Sequence, residues 1–238
     1  ASSDKEIATL KNAKQHFSDC YLMATLDCLA NTSNGQNILK KMVSYDYANN
    51  INCYLYNPQG IREKFTIFTS TAIKKYEELF KNQNNPIVRA LDISVDKYEE
   101  KYHTKPWICK ISNIFKTYKF ENHLPSKFMA QITGIKPIVI GEKYTSLSLK
   151  KQKDKLMPIF ERMQREKKFS FIVCTGIKKF RGRRFHVYSV ENVNLENNTI
   201  TVKEKRENKP ITLDIDKALG VFWGIAGYFN NDLSKKAA

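Results

Sequence analysis

The sequence predicts an α+β protein, because helical and strand periodicities occupy different parts of the chain. In residues 4–44 and in residues 106–120, apolar side chains recur at the three- and four-residue spacings that are typical of helices with one buried face. From residue 169 onward, the runs FSFIVCTG, FHVYSVENV and NTITVKE are rich in β-branched and aromatic residues and are separated by turn sequences. We therefore expect a helical N-terminal lobe and an antiparallel, β-rich C-terminal lobe.

The predicted elements divide into two lobes of one domain, residues 1–140 and residues 141–238, with the boundary between Pro137 and Leu147. Helices are predicted at residues 4–44, 71–83, 106–120, 126–134 and 148–167. Short strands around CYLY and KFTIFT, joined by the turn NPQG, interrupt the helical part of the chain. A shorter apolar run at 221–225 follows the strands of the C-terminal part.

Cysteine usage and hydropathy exclude several classes of protein. The five cysteines are an odd number and form no CxxC motif, which argues against a disulfide framework and against a zinc site. No run of about 18 apolar residues is present, so we expect no membrane span, and the N-terminal residues lack the apolar core of a signal peptide. This profile predicts a protein of a reducing cytosol that needs no cofactor and no metal.

The chain is strongly basic, with 40 Lys and Arg against 24 Asp and Glu and a formal net charge of +16. Such a charge attracts anionic partners over long distances. An acidic protein or an anionic membrane surface is therefore an expected partner. The basic segment KKFRGRR, at residues 178–184, leads directly into the predicted strand that begins near His186. No motif places aromatic residues for base stacking, and we therefore expect no specific binding of nucleic acid.

Cys20 is the first candidate catalytic residue, because it begins an apolar helix. Leu22, Leu26 and Leu29 define the buried face of that helix, and Ser18 or Asp19 can cap its N-terminus. A thiol in the first helical turn lies at the positive end of the helix dipole, which favours the thiolate. A cysteine among Leu and Ala is, however, often only part of a core.

His186 and Glu204 are the second and third candidates, because each occupies an inward position of a predicted hairpin. Alternation puts His186 on the face of Tyr188 and Val190, and Glu204 on the equivalent face of the following strand. An ordinary hairpin core would not be expected to contain these ionisable groups. A thiol, an imidazole and a carboxylate that orients the imidazole are the elements of nucleophilic catalysis by cysteine.

These segments resemble the calpain-type, papain-fold cysteine protease core. DCYLMATLDCLA is similar to the family's Asp-Cys-Trp-Leu run, with Tyr21 in place of the tryptophan, and HVYSV is similar to its His-Ala-Tyr-Ser-Val segment. The segments PWICKISNIFKTYKF and FMAQITGIKP, between those two, follow the family's order. The resemblance implies a papain-like two-lobe fold, with Cys20 as the nucleophile and His186 as the general base.

The chain also departs from the family pattern at two site positions. Gln15 lies one residue closer to Cys20 than the family's oxyanion-hole glutamine, and Lys14 occupies the usual position. Where the family has Asn-Pro-Trp after the second strand, this chain has Glu204, Lys205 and Arg206. Glu204 is the expected orienting residue, and Asn208 and Asp214 are the alternatives.

The sequence therefore predicts a cysteine peptidase that hydrolyses a protein substrate through a thioester acyl-enzyme. The same residues suit deamidation, acyl transfer or removal of ubiquitin-like modifiers. A different class of protein also fits, an inactive basic module that binds anionic partners. The abundance of Lys, Asn, Ile and Tyr suggests a bacterial virulence effector that acts in the cytosol of a host cell.

Overall fold

The computed structural model describes residues 20–48, 50–68, 85–102, 125–141, 149–175, 180–181, 186–205 and 207–237. Within these ranges the chain forms seven α-helices, one 3-10 helix and nine β-strands. Several predicted features lie outside the described residues: the helices at 71–83 and 106–120, the capping residues Ser18 and Asp19, and Gln15.

The N-terminal part combines helices with a small antiparallel sheet. Its elements are α1 (Cys20–Ala30), α2 (Ser33–Met42), β1 (Val43–Tyr45), β2 (Ile51–Tyr56), β3 (Arg62–Ile67), α3 (Pro86–Tyr102) and α4 (Pro125–Thr133). The three strands pair in the order β1-β2-β3, and α3 and α4 pack against β2. The strands predicted around CYLY and KFTIFT and the helix predicted at 126–134 are therefore confirmed.

The C-terminal part is a six-stranded antiparallel sheet with helices on it. Its elements are β4 (Ile138–Gly141), a 3-10 helix (Leu149–Gln152), α5 (Lys153–Glu166), β5 (Phe169–Thr175), β6 (Val187–Asn194), β7 (Thr199–Glu204), β8 (Lys209–Asp214), α6 (Ile215–Val221), β9 (Phe222–Phe229) and α7 (Asn230–Ala237). The strand order is β4-β9-β5-β6-β7-β8. Strand β4 begins three residues before residue 141 and pairs with β9, so this sheet extends slightly beyond the expected C-terminal lobe.

The centre of the large sheet is buried on both faces, as β5 illustrates. Every residue of β5 is buried, and alternate residues belong to different cores. Phe171 and Val173 pack with side chains of α5 and α6, whereas Ile172 and Cys174 pack with side chains of α1. Burial on both faces explains why this strand is a nearly continuous apolar run and lacks the apolar and polar alternation of a half-exposed strand.

Helix α1 is the central element of the fold. All eleven of its residues are buried, and the helix packs against β5, β6, α2 and α4. Leu22, Leu26 and Leu29 are completely inaccessible to solvent, and burial of each contributes about 1.5–3 kcal/mol. The helix that begins at Cys20 therefore lies between the large sheet and the helices α2 and α4 of the N-terminal part.

These features confirm the predicted α+β class, with helices and two separate antiparallel sheets. In the part of the chain that the structure describes, no helix is both long and apolar enough to cross a membrane.

Candidate active site

Cys20 lies at the first position of α1 and is 1% exposed. The ring of Tyr21 meets the ring of Phe128 in α4 edge-on, with 5.1 Å between ring centroids, so the first turn of α1 is held against the N-terminal part of the fold. The first amide groups of a helix have no carbonyl partner four residues earlier and carry partial positive charge. A thiolate at Cys20 would be stabilised by that charge.

Two contacts define how α1 lies along the large sheet. The Ser189 hydroxyl of β6 donates to the Asp27 carboxylate at 2.6 Å, and the hydroxyls of Thr32 and Ser170 lie 3.1 Å apart. Ile172 of β5 is opposite Ser189, so Ser170 is level with a position two residues further along β6. Asp27 comes before Thr32 along the chain of α1, and the level of the Asp27 contact also comes before that of the Thr32 contact along β6. Helix α1 therefore runs parallel to β6.

This direction brings Cys20 and His186 to the same end of the sheet. Cys20 precedes Asp27 by seven helical residues, or about 10.5 Å, and His186 precedes Ser189 by three extended residues, or about 10 Å. The two candidate residues are therefore level with each other. His186 stands just before β6, and its ring contacts that of Tyr188 on the face of the sheet opposite α1. A contact between the imidazole and the thiol would therefore have to pass around the end of that strand.

His186 and Glu204 are in direct contact. Nε2 of His186 lies 3.2 Å from Oε1 of Glu204, and the residues are only 6% and 5% exposed. The β6–β7 register puts Glu204 opposite Tyr188, with His186 as its diagonal neighbour on the same face, as the alternation predicted. The backbone N–H of His186 donates to the Thr175 hydroxyl at 2.8 Å, which holds the histidine where the chain enters β6. The carboxylate favours the protonated imidazole electrostatically.

The other two proposed orienting residues occupy different positions. Asp214 is opposite Thr199, five residues or about 17 Å along the ladder from the pair of Glu204 and Lys209. Its carboxylate caps α6 by accepting from the backbone N–H of Lys217 at 3.1 Å, so Asp214 does not orient His186.

Asn208 is closer, in the turn between β7 and β8. Its backbone N–H donates to the Glu204 carbonyl at 2.8 Å, and its side-chain oxygen is buried. The contact with the ring of His186, however, is made by the carboxylate of Glu204. The predicted oxyanion-hole residue Gln15 lies outside the described residues.

The described part of the basic segment 178–184 lies beside the histidine. The ring of Phe180 packs edge-on against Tyr188 at 5.5 Å between centroids, and Tyr188 in turn contacts the ring of His186 at 4.9 Å. The neighbouring Arg181 guanidinium is 3.9 Å from the Glu207 carboxylate in the β7–β8 turn. Phe180 and Arg181 therefore lie next to the end of the sheet that carries the candidate site.

We expect this basic segment to accelerate the encounter with an acidic substrate. The test variant replaces four basic residues by glutamate: Lys178, Lys179, Arg181 and Arg184. Its association rate with an acidic peptide should fall at low salt, and the salt dependence should flatten, because steering by charge is screened at high ionic strength. A matched control reverses four exposed basic residues elsewhere: Lys150, Lys151, Lys155 and Lys168. Equal association rates for wild type and the test variant at both ionic strengths would contradict steering by this segment.

We also predict activity that does not depend on calcium. Calpain-type cores generally align their lobes with calcium held by acidic loops, and calcium requires six to eight oxygen ligands. Among the described residues, no group of three or more His, Cys, Asp or Glu side chains is placed to hold a metal ion. Turnover in excess EDTA should equal turnover in millimolar calcium, and loss of turnover in EDTA that calcium restores would contradict the prediction.

A buried polar cluster next to the site has no counterpart among the residues predicted from the sequence. Asp27 lies in the middle of α1, and its carboxylate accepts from Lys205 Nζ at 2.8 Å and from the Ser189 hydroxyl. Lys203 Nζ lies 3.6 Å from the same carboxylate. Burial lowers the pKa of Lys205, and the attraction of Asp27 opposes that effect. The sequence signal was available, since an acidic residue in an otherwise apolar helix is uncommon.

Comparison of the chain with protein-family models gives no match, and comparison with curated proteins gives none either. The functional assignment therefore depends on the residues and on their geometry.

Proposed function

We propose that the protein is a cysteine peptidase with a papain-like two-lobe fold, in which Cys20 is the nucleophile, His186 the general base and Glu204 the residue that orients His186. The observation that carries the proposal is the buried contact between His186 and Glu204, 3.2 Å long, at the level of the N-terminus of α1. A buried imidazole–carboxylate pair level with a thiol in a first helical turn is the arrangement that activates a cysteine.

The reaction begins with a thiolate at Cys20 and an imidazolium at His186. Because Nε2 of the ring faces Glu204, Nδ1 is the nitrogen that exchanges the proton with the thiol. The sulfur attacks the substrate carbonyl carbon, and the carbonyl electron pair moves to oxygen to form a tetrahedral oxyanion. Nδ1–H then protonates the leaving amine as the C–N bond breaks, which leaves a thioester on Cys20.

Hydrolysis of the thioester completes the cycle. The neutral imidazole takes a proton from water, the resulting hydroxide oxygen bonds to the acyl carbon, and the C–S bond breaks to release the acid and regenerate the thiolate and imidazolium. The backbone N–H of Cys20 would donate to the oxyanion in both halves of the reaction, and the Gln15 side chain is the proposed second donor.

The arrangement of the lobes supports the same assignment. Helix α1 packs against α2 and α4 of the N-terminal part and against β5 and β6 of the six-stranded sheet. The nucleophile would then come from the helix between the lobes, and the base and the orienting residue from the large sheet. No disulfide joins the four described cysteines, which suits the reducing cytosol of a host cell.

A search for new protein N-termini tests the reaction itself. The purified protein would be added to a reduced lysate of cultured human cells, with Cys20→Ala as the blank. We expect a small set of new N-termini that share a sequence pattern and are absent from the blank. If none forms, peptide-bond hydrolysis is excluded, and mass spectrometry of the same samples shows whether the thiol instead deamidates glutamine, transfers an acyl group or removes a ubiquitin-like modifier.

A further inference from the structure

The buried polar cluster of Asp27, Ser189, Lys203 and Lys205 connects the three elements that carry the candidate catalytic residues. Asp27 is on α1, seven residues after Cys20, and Ser189 is on β6, three residues after His186. Lys205 follows Glu204 directly at the end of β7. Its ammonium group and the Ser189 hydroxyl meet the two oxygens of the same carboxylate, at 2.8 and 2.6 Å.

Net stability does not explain such a cluster. Asp27 and Lys205 are each 1% exposed. An ion pair that is buried so deeply loses the hydration of both charges, and their mutual attraction barely offsets that loss of free energy. Replacement of a buried ion pair by apolar side chains of similar volume is often neutral or stabilising. The pair differs from an apolar contact in its directionality, because the carboxylate must meet both donors at hydrogen-bond distance.

Those directional contacts fix the position of α1 both along the strands of the sheet and across them. Ser189 and Lys203 are directly opposite each other in the β6–β7 ladder, and Lys205 is two residues further along β7 on the same face. A carboxylate held from both strands cannot follow α1 along or across the sheet without breaking a contact. A shift of one helical turn would move the thiol by about 5.4 Å relative to His186 and Glu204.

We propose that Asp27, Ser189 and Lys205 are positioning residues, which hold the thiol of Cys20 in register with the imidazole of His186 and the carboxylate of Glu204. This inference rests on the proposed function. The cluster touches no reacting atom and acts through the three residues that it aligns. It sets the reactivity of the thiol by keeping the helix that carries the nucleophile in one register against the strands that carry the base.

The test measures the alkylation rate of Cys20 by iodoacetamide from pH 5 to pH 10, with the modified cysteine identified by mass spectrometry. The main variant is the double replacement Asp27→Leu with Lys205→Met, which substitutes an apolar contact for the ion pair. Ser189→Ala, which removes one hydroxyl group, is the milder second variant. Val193→Ala is the control, since Val193 is buried at the opposite end of β6 from His186.

In the wild type we expect alkylation of Cys20 that is already fast near neutral pH. The double variant should unfold at a temperature close to that of the wild type, yet its alkylation at pH 7 should be at least about tenfold slower and should rise only near pH 8.5, as for an ordinary thiol. Ser189→Ala should change the rate in the same direction by a smaller factor. Val193→Ala should lower the unfolding temperature without moving the pH profile.

Two results overturn the inference, and they are distinguishable. If the double variant and Ser189→Ala both fold and keep the wild-type rate and pH profile, the cluster does not position the thiol, and the proposed function stands. If Cys20 of the wild type itself reacts no faster than an ordinary thiol, the proposed function fails as well.

Discussion

Replacement of Cys20 by alanine, or of His186 by alanine, should lower the rate of formation of new N-termini by a factor on the order of a thousand or more. The first change removes the nucleophile, and the second removes the group that generates the thiolate and protonates the leaving amine. Cys20→Ala removes a single buried sulfur atom and should retain the circular-dichroism spectrum, whereas His186→Ala leaves the buried Glu204 carboxylate without the imidazole and should lower the unfolding temperature. Rates measured at equal concentrations of folded protein check this prediction.

Cys28→Ala is the matched control for the loss of a thiol. Cys28 is buried in the same helix, two turns after Cys20, and its thiol lies 3.2 Å from the Thr25 carbonyl. Burial raises the pKa of this thiol well above its usual value, so Cys28 is protonated and unreactive at neutral pH. Its alanine variant should keep a near-normal rate. If Cys20→Ala or His186→Ala kept more than about a hundredth of the wild-type rate, that residue would be removed from the mechanism.

Replacement of Glu204 should give the second largest effect, with activity falling in the order wild type, Gln, Ala. Glutamine preserves the shape of the side chain beside His186 but removes its charge, and alanine removes both. We expect losses of about tenfold for Glu204→Gln and about a hundredfold for Glu204→Ala.

The pH dependence of the rate tests whether the charge of Glu204 stabilises the imidazolium of His186. The active form contains the imidazolium, so the rate falls on the basic side as that proton is lost. A neighbouring carboxylate favours the protonated ring, and the basic limb should therefore lie at higher pH in the wild type than in either variant.

The rival orienting residues supply the controls. Asp214→Asn should leave both the rate and the basic limb unchanged, because Asp214 caps α6 far from His186. Asn208→Ala should have only a small effect, since the contact with the ring comes from Glu204. If Glu204→Ala kept normal activity while Asn208→Ala lost it, the orienting residue would be Asn208.

Sequence periodicity was sufficient for the elements that have an ordinary apolar pattern. The hairpin of β6 and β7 is confirmed, including the shared face of His186 and Glu204, because alternation in a strand determines which side chains share a face. Helix α3 was not predicted. Its apolar residues do recur at three- and four-residue spacings, at Ile87, Leu91, Val95, Tyr98 and Tyr102, so the signal of a helical face was present in the sequence.

Long-range contacts account for what the sequence could not indicate. Asp214 matched the chemistry of an orienting carboxylate, but only the β7–β8 register shows that it lies at the wrong end of the ladder. The ion pair of Asp27 and Lys205 joins residues 178 positions apart, and no local pattern specifies such a pair. Cys20 and His186 likewise lie at the same end of the sheet only because α1 runs parallel to β6.

The most direct test of the central claim is the site of reaction of a thiol-reactive peptide probe, such as a peptidyl epoxide, at neutral pH. The chain has five cysteines, which serve as internal controls for one another. A thiolate activated by His186 predicts one adduct, on Cys20, that forms much faster than with free cysteine and is lost in His186→Ala. Slow labelling spread over several cysteines, or rapid labelling of Cys20 that persists in His186→Ala, would contradict the account.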